Sequence, residues 1–160
     1  MKIYAITGTP GTGKSKVAKL LSKKFAVLNL NKEIKNRKLY KKYDNKRKCF
    51  IFDEKKTLKF VKEWIKKQKN DIFIESHVSH LLNLKYDLIF VFRCNPEVLY
   101  KRLKRRRWNK EKIQENLEAE IFGIIEEEAR RKGKTYIIDT TNKSPEKIAG
   151  EMLKYIKKES

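Results

Sequence analysis

The octet Gly8-Thr9-Pro10-Gly11-Thr12-Gly13-Lys14-Ser15 fits the pattern G-x-x-x-x-G-K-[ST] at every fixed position. Three of the chain's six glycines fall inside it. Glycine lets the backbone wrap closely round a polyphosphate with its N–H groups turned inward, where side chains would block the approach. Lys14 would set a cation against the β- and γ-phosphates, and Ser15 would offer a hydroxyl to Mg²⁺. The helix opening there would add the positive end of its dipole. That chemistry is nucleoside triphosphate binding.

Two further groups suit a reaction on the triphosphate. Arg102 and Arg106 stand four apart, so they share one helix face just before Trp108-Asn109. A closing lid would carry such guanidinium groups onto transferring phosphates. Lys101 to Arg107 is almost wholly cationic, which suits any helix C-terminus. Beside a phosphate loop, the phosphate-binding reading of at least one arginine is favoured. Glu75-Ser76-His77 closes an apolar strand, and ligands of open parallel sheets lie at the carboxyl ends of strands. Glu75 can hold Mg²⁺ through water, and His77 can orient a water or an acceptor. His80, on a short helix three residues on, reads as structural.

The elements that position these groups alternate strand and helix, the pattern of a parallel sheet covered by helices. Strands are expected at Ile3 to Thr7, Val27 to Leu30, Ile72 to Glu75, Asp87 to Phe92 and Tyr136 to Asp139. The run DLIFVF reads as the central one, buried on both faces. Helices are expected from Lys14 to Phe25, from an Asn31 cap through Lys38, and from an Asp53 cap over Leu58, Val61, Trp64 and Ile65. Asn95-Pro96 and Ser144-Pro145 each pair a cap with proline at the first helical position. One long helix is expected from about Glu111 to Lys132, carrying Ile113, Leu117, Ile121, Ile124 and Ile125. Phe50 to Phe52 is expected to pack back on the core.

Length and composition bound the rest. The 160 residues suit one domain. No apolar run approaches the roughly 20 residues of a membrane helix, and the N-terminus lacks the pattern of a signal peptide. Two cysteines, Cys49 and Cys94, make neither a disulfide framework nor a four-cysteine zinc site, so a cytoplasmic protein is expected. There are 41 Lys+Arg against 20 Asp+Glu, a formal charge of +21. Such a surplus points to polyanions such as nucleic acid, or to a merely lysine-rich surface. Lys32 to Lys48 and Lys101 to Lys112 concentrate it. A GTPase would want N-K-x-D, but Asn142-Lys143-Ser144-Pro145 ends in proline, and no D-x-x-G switch is present. A small kinase with a lid and an acceptor lobe remains.

GTPGTGKS, ESH at 75–77 and FRCNPEVLYKRLKRRRWNKEKIQENLEAEIF at 92–122 together resemble the adenylate kinase isoenzyme six family, the CINAP-type nucleotide kinases linked to small ribosomal subunit assembly. The resemblance spans nearly the whole chain. It implies an α/β P-loop NTPase fold of adenylate-kinase type, with a five-stranded parallel sheet flanked by helices. A monophosphate lobe at about 31–54 and a short lid at about 105–115 go with it. It implies ATP at Gly11, Gly13, Lys14, Ser15 and Lys16, Arg106 on the nucleotide, Arg102 assisting, and Mg²⁺ near Ser15 and Glu75. The family's Asp-x-His is Glu75-Ser76-His77 here. Its monophosphate-lobe arginine is Lys35, and Asn31-Lys32 replaces its Gly-Asp; a single ammonium cannot grip phosphate bidentately. Two activities are implied: phosphoryl transfer from ATP to AMP or other nucleoside monophosphates, and ATP hydrolysis in late maturation of small-subunit ribosomal RNA. The implied partners are a small-subunit platform protein of the universal S-eleven type and ribosomal RNA or a pre-ribosome. A kinase for another small molecule, or an RNA-binding assembly ATPase without kinase activity, is the alternative.

Overall fold

A computed structural model describes residues 1–160. Five parallel strands, β1 (Ile3–Gly8), β2 (Ala26–Asn29), β5 (Ile72–Glu75), β6 (Leu88–Arg93) and β7 (Thr135–Asp139), form one sheet in the order β2-β5-β1-β6-β7. Two more, β3 (Tyr40–Asp44) and β4 (Cys49–Phe52), pair as a separate antiparallel hairpin. The helices are α1 (Lys14–Leu21), α2 (Leu30–Asn36), α3 (Glu54–Lys66), α4 (Pro96–Arg105), α5 (Lys110–Phe122), α6 (Ile124–Lys132) and α7 (Pro145–Glu159).

The period of two along each central strand divides the core. Tyr4, Ile6, Leu88, Phe90 and Phe92 face one side, where Val17 and Leu21 of α1 and Ile148 and Met152 of α7 cover them. Ala5, Ile74, Ile89 and Val91 face the other, under Leu30, Ile34, Val61 and Ala129. A third, small cluster of Cys94, Leu99, Leu103 and Ile113 joins α4 to α5. With β1 in the middle and β5 and β6 beside it, the loop after β1 opens where neighbouring crossovers run to opposite faces. This is the switch point at which such sheets bind ligands.

Four sequence expectations need correction. The first helix stops at Leu21, four residues early. Asn29 caps α2 by accepting from the Lys32 N–H, so Asn31 lies inside the first turn and its side chain is free to reach elsewhere. Phe50 to Phe52 belongs to the second strand of a hairpin, held by Tyr40 and Tyr43 against the Phe50 ring at 4.3 and 5.0 Å, and of the three only Phe52 packs back on the core. The long helix is two helices, because Gly123 takes the left-handed conformation at φ 63 and ends α5. Ile121, Phe122 and Ile124, beside that break, are exposed, Phe122 to 74%. No helix is long and apolar enough to cross a membrane.

Candidate active site

The loop after β1 is held from several sides. The Lys14 ammonium donates to the Thr9 carbonyl at 3.0 Å, and the Thr12 hydroxyl donates to the same carbonyl at 2.8 Å. Thr140, at the end of β7, donates to the Thr12 carbonyl at 2.8 Å. Arg102 donates to the Gly11 carbonyl at 3.2 Å. Gly8 (φ +143) and Gly11 (φ +91) take backbone conformations that L side chains rarely adopt. A Cβ on Gly8 would stand 2.6 Å from the Phe92 carbonyl oxygen. Gly8→Ala is therefore expected to cost at least ~1–3 kcal/mol, read as a lowered denaturant midpoint. An unchanged midpoint would contradict this loop geometry.

Loop, strand ends and the helix pair α4–α5 enclose a cleft of about 750 Å³. Gly11, Gly13, Lys14, Ser15 and Lys16 line its floor. Glu75, His77 and Asn31 line one wall, and Arg102 and Arg106 line another. Lys35 is exposed on α2 and does not line the cleft. Eight Lys or Arg side chains line the cleft against two carboxylates, Glu75 and Glu115. Such a lining is built for a polyanion.

Lys14 is only 6% exposed, and burial pushes its ammonium down to about 8, with Arg106 adding repulsion and Glu75 and Glu120 offsetting part of it. Glu75, 3% exposed, is raised by burial and held back by Lys14. Its carboxylate makes no hydrogen bond to another side chain, so it is available to a ligand's water shell. No group of three or more His, Cys, Asp or Glu converges anywhere in the chain. Mg²⁺ binds through one or two protein oxygens plus substrate phosphates, so the Ser15 hydroxyl and the Glu75 carboxyl fit such an ion carried in on a triphosphate.

His77 and Asn31 meet across the cleft wall, Asn31 Nδ2 to His77 Nδ1 at 3.2 Å. With Nδ1 accepting, the ring proton sits on Nε2, as a donor. Burial, then Lys14 and its cationic neighbours, push His77 down to about 4. The imidazole is neutral through the physiological range, so no rate limb near its ordinary value of 6.5 is expected. The unfolded chain binds that proton first. Stability is therefore expected to fall as pH drops from about 6.5 towards 4, and to fall less in His77→Gln. Urea midpoints across that window check it; identical slopes in the two proteins would contradict it. His80 is buried and structural, its ring 2.6 Å from the Thr7 hydroxyl and 3.4 Å from Glu128.

Several cleft residues were not singled out as site residues by the sequence. Arg47 and Cys49 of the hairpin line the cleft opposite Arg105, Trp108 and Lys112. Lys112 lies 3.8 Å over the Trp108 ring and Arg106 lies 5.5 Å over it. Glu120, buried on α5, accepts from the Thr9 hydroxyl at 2.8 Å, the Arg93 guanidinium at 2.9 Å and the Cys94 N–H at 2.8 Å. It ties α5 to the phosphate loop. Thr140 and Lys143 follow β7, where the strand-end rule used for Glu75 would have found them.

A family profile described as AAA domain matches residues 5–123. A Methanocaldococcus jannaschii protein described as "Putative adenylate kinase" is 41% identical over 155 residues, covering 96% of this chain and 85% of the relative. A Sulfurisphaera tokodaii protein of the same description is 40% identical, covering 94% and 80%. Among solved structures, the Thermus thermophilus protein TT1252 superposes with a TM-score of 0.66 at 19% identity, covering 99% of this chain and 97% of that one. Shikimate kinase from Bacteroides thetaiotaomicron gives 0.60 at 14%, covering 98% of each. These structural likenesses describe the fold, a P-loop kinase sheet flanked by helices. The 119 residues of the matched segment and the long alignments with archaeal relatives place the chain: it belongs to the AAA-domain family of phosphate-loop proteins, together with these archaeal relatives.

Proposed function

We propose that the protein is a nucleoside monophosphate kinase of adenylate-kinase type. It transfers the γ-phosphoryl group of ATP to AMP and, less selectively, to other monophosphates. The observation that carries the reading is one cationic cleft, lined by the phosphate loop and by Arg47 and Cys49 of the β3–β4 hairpin, with a volume of about 750 Å³ that suits donor and acceptor together. The names of the archaeal relatives support the same activity.

In the reaction an acceptor phosphate oxygen attacks the γ-phosphorus in line, and the bond from that phosphorus to the β–γ bridging oxygen breaks. Two nucleoside diphosphates result when the acceptor is AMP. The chain has little covalent chemistry to do, so its contribution is positioning and charge. Loop amides hold the β-phosphate, and Lys14 leaves the Thr9 carbonyl for the β- and γ-phosphates. Arg106 and Arg102 neutralise the charge on the moving group. Glu75 and Ser15 are placed to receive Mg²⁺, which screens the phosphates when bound. His77, neutral and oriented by Asn31, donates a hydrogen bond at the acceptor side. Arg106→Ala is expected to lower kcat about 100-fold with little effect on the KM for AMP. A change in that KM with kcat intact would move Arg106 to the acceptor site.

A second reading is favoured by the charge. A surplus of +21 exceeds what eight cleft cations account for. An ATPase cycle that gates binding to small-subunit ribosomal RNA and a platform ribosomal protein would use it. Single-stranded RNA binding should then weaken with salt by about 0.7 in log–log slope for each phosphate contacted. A flat salt response would count against direct RNA contact.

A further inference from the structure

We propose that the acceptor's phosphate is gripped by the β3–β4 hairpin through Arg47, and not from helix α2. The inference rests on the kinase reading and names the residue that completes its acceptor site. Lys32 and Lys35, the two cations of α2, are both exposed and neither lines the cleft, while Arg47 does. The hairpin tip is shaped to put it there. The Asp44 carboxylate accepts from the Lys46 and Arg47 N–H groups at 3.0 and 3.1 Å, fixing the turn. Lys48 takes a left-handed conformation at φ 54, which brings its carbonyl to the Lys112 ammonium at 3.2 Å. The root is equally fixed: Asp53 N–H and the Thr57 hydroxyl both donate to the Leu39 carbonyl, at 2.8 and 3.3 Å.

Arg47 is held by a partner it can leave. Its guanidinium lies 3.5 Å from Glu115 of α5, and the two side chains are 61% and 52% exposed. An exposed pair of this kind contributes little, whereas a phosphate monoester offers two charges and paired oxygens to a planar fork. The acceptor's phosphate would replace Glu115 on Arg47. The hairpin would stay tied to the lid helix through Lys112 and Lys48, so acceptor binding and closure over the donor are one event.

The test measures AMP binding by calorimetry and steady-state kinetics on the full chain. Arg47→Ala is expected to raise the Kd and the KM for AMP by ~10- to 100-fold, with the KM for ATP and the kcat at saturating AMP near those of the parent. Arg47→Lys should recover part of the loss. Lys42→Ala removes a charge from the same hairpin outside the cleft and is expected to leave AMP affinity within twofold. AMP binding unaltered in Arg47→Ala, or a loss found instead in Lys35→Ala, overturns the proposal while leaving the kinase reading in place. AMP that binds the parent without being phosphorylated overturns the kinase reading, and the Arg47 arm then still decides the binding site by calorimetry. A parent chain that binds no monophosphate overturns both.

Discussion

Lys14→Ala is expected to lower phosphoryl transfer by ~100- to 1,000-fold while leaving the fold intact. The ammonium is buried, yet its one hydrogen bond in the cleft is to the Thr9 carbonyl, a contact the loop can do without because Thr12 donates to the same oxygen. Removing it withdraws charge where negative charge gathers in the transition state, and little packing. Circular dichroism and a denaturant midpoint near the parent's would separate loss of chemistry from loss of structure. The same residue sets a pH limb. Lys14 titrates at about 8 instead of 10.5, so the free cleft loses this cation as pH rises through that value. The kcat/KM for ATP is expected to fall above pH 8. Lys14→Arg, which stays charged, should lack that limb even if slower overall. A limb that persists in Lys14→Arg would assign it to another group.

Glu120→Ala is expected to cost about 3 kcal/mol of stability, the lower end of the range for orphaning one member of a buried ion pair. The lower end applies because Arg93 keeps Glu126 at 3.0 Å and its side chain is 28% exposed. The substitution also strands the Thr9 hydroxyl and the Cys94 N–H. The KM for ATP should rise as well, because Thr9 lies in the loop proposed to hold the phosphates. Glu120→Gln retains an acceptor for Thr9 or Cys94 and should fall between the two. Urea unfolding with the KM for ATP checks both effects, and a wild-type midpoint in Glu120→Ala would remove Glu120 from this role.

The sheet and the phosphate loop were legible because their signals are local. A strand such as DLIFVF declares its burial by composition, and the glycines of the octet are required by backbone conformation within the octet itself. Glu75 and His77 were legible through a rule about strand ends, and the structure brings both to the loop. Arg102 was read from helix spacing, and its contact with Gly11 crosses 91 positions of sequence.

What stayed hidden depends on tertiary placement. Strand β3 is short and largely exposed, with two lysines among its five residues, so no alternating pattern marks Tyr40–Asp44. Without the hairpin there was no reason to place Arg47 opposite the lid, and Lys35 stood as the lobe's cation. Nothing local separates Glu120 from the other acids of α5; tertiary packing alone sets it against Thr9. Gly123 lies inside the run expected to form one helix from about Glu111 to Lys132. A Cβ there would meet the Arg93 guanidinium at 3.1 Å, a contact no local pattern announces.

The central claim is that this cleft passes a phosphoryl group between two nucleotides. Product stoichiometry with Mg-ATP, alone and with AMP added, tests it most directly. AMP is expected to disappear with two ADP formed for each one consumed and inorganic phosphate far behind. ADP and inorganic phosphate released in equal amounts, at a rate that neither AMP nor any other monophosphate alters, would contradict it.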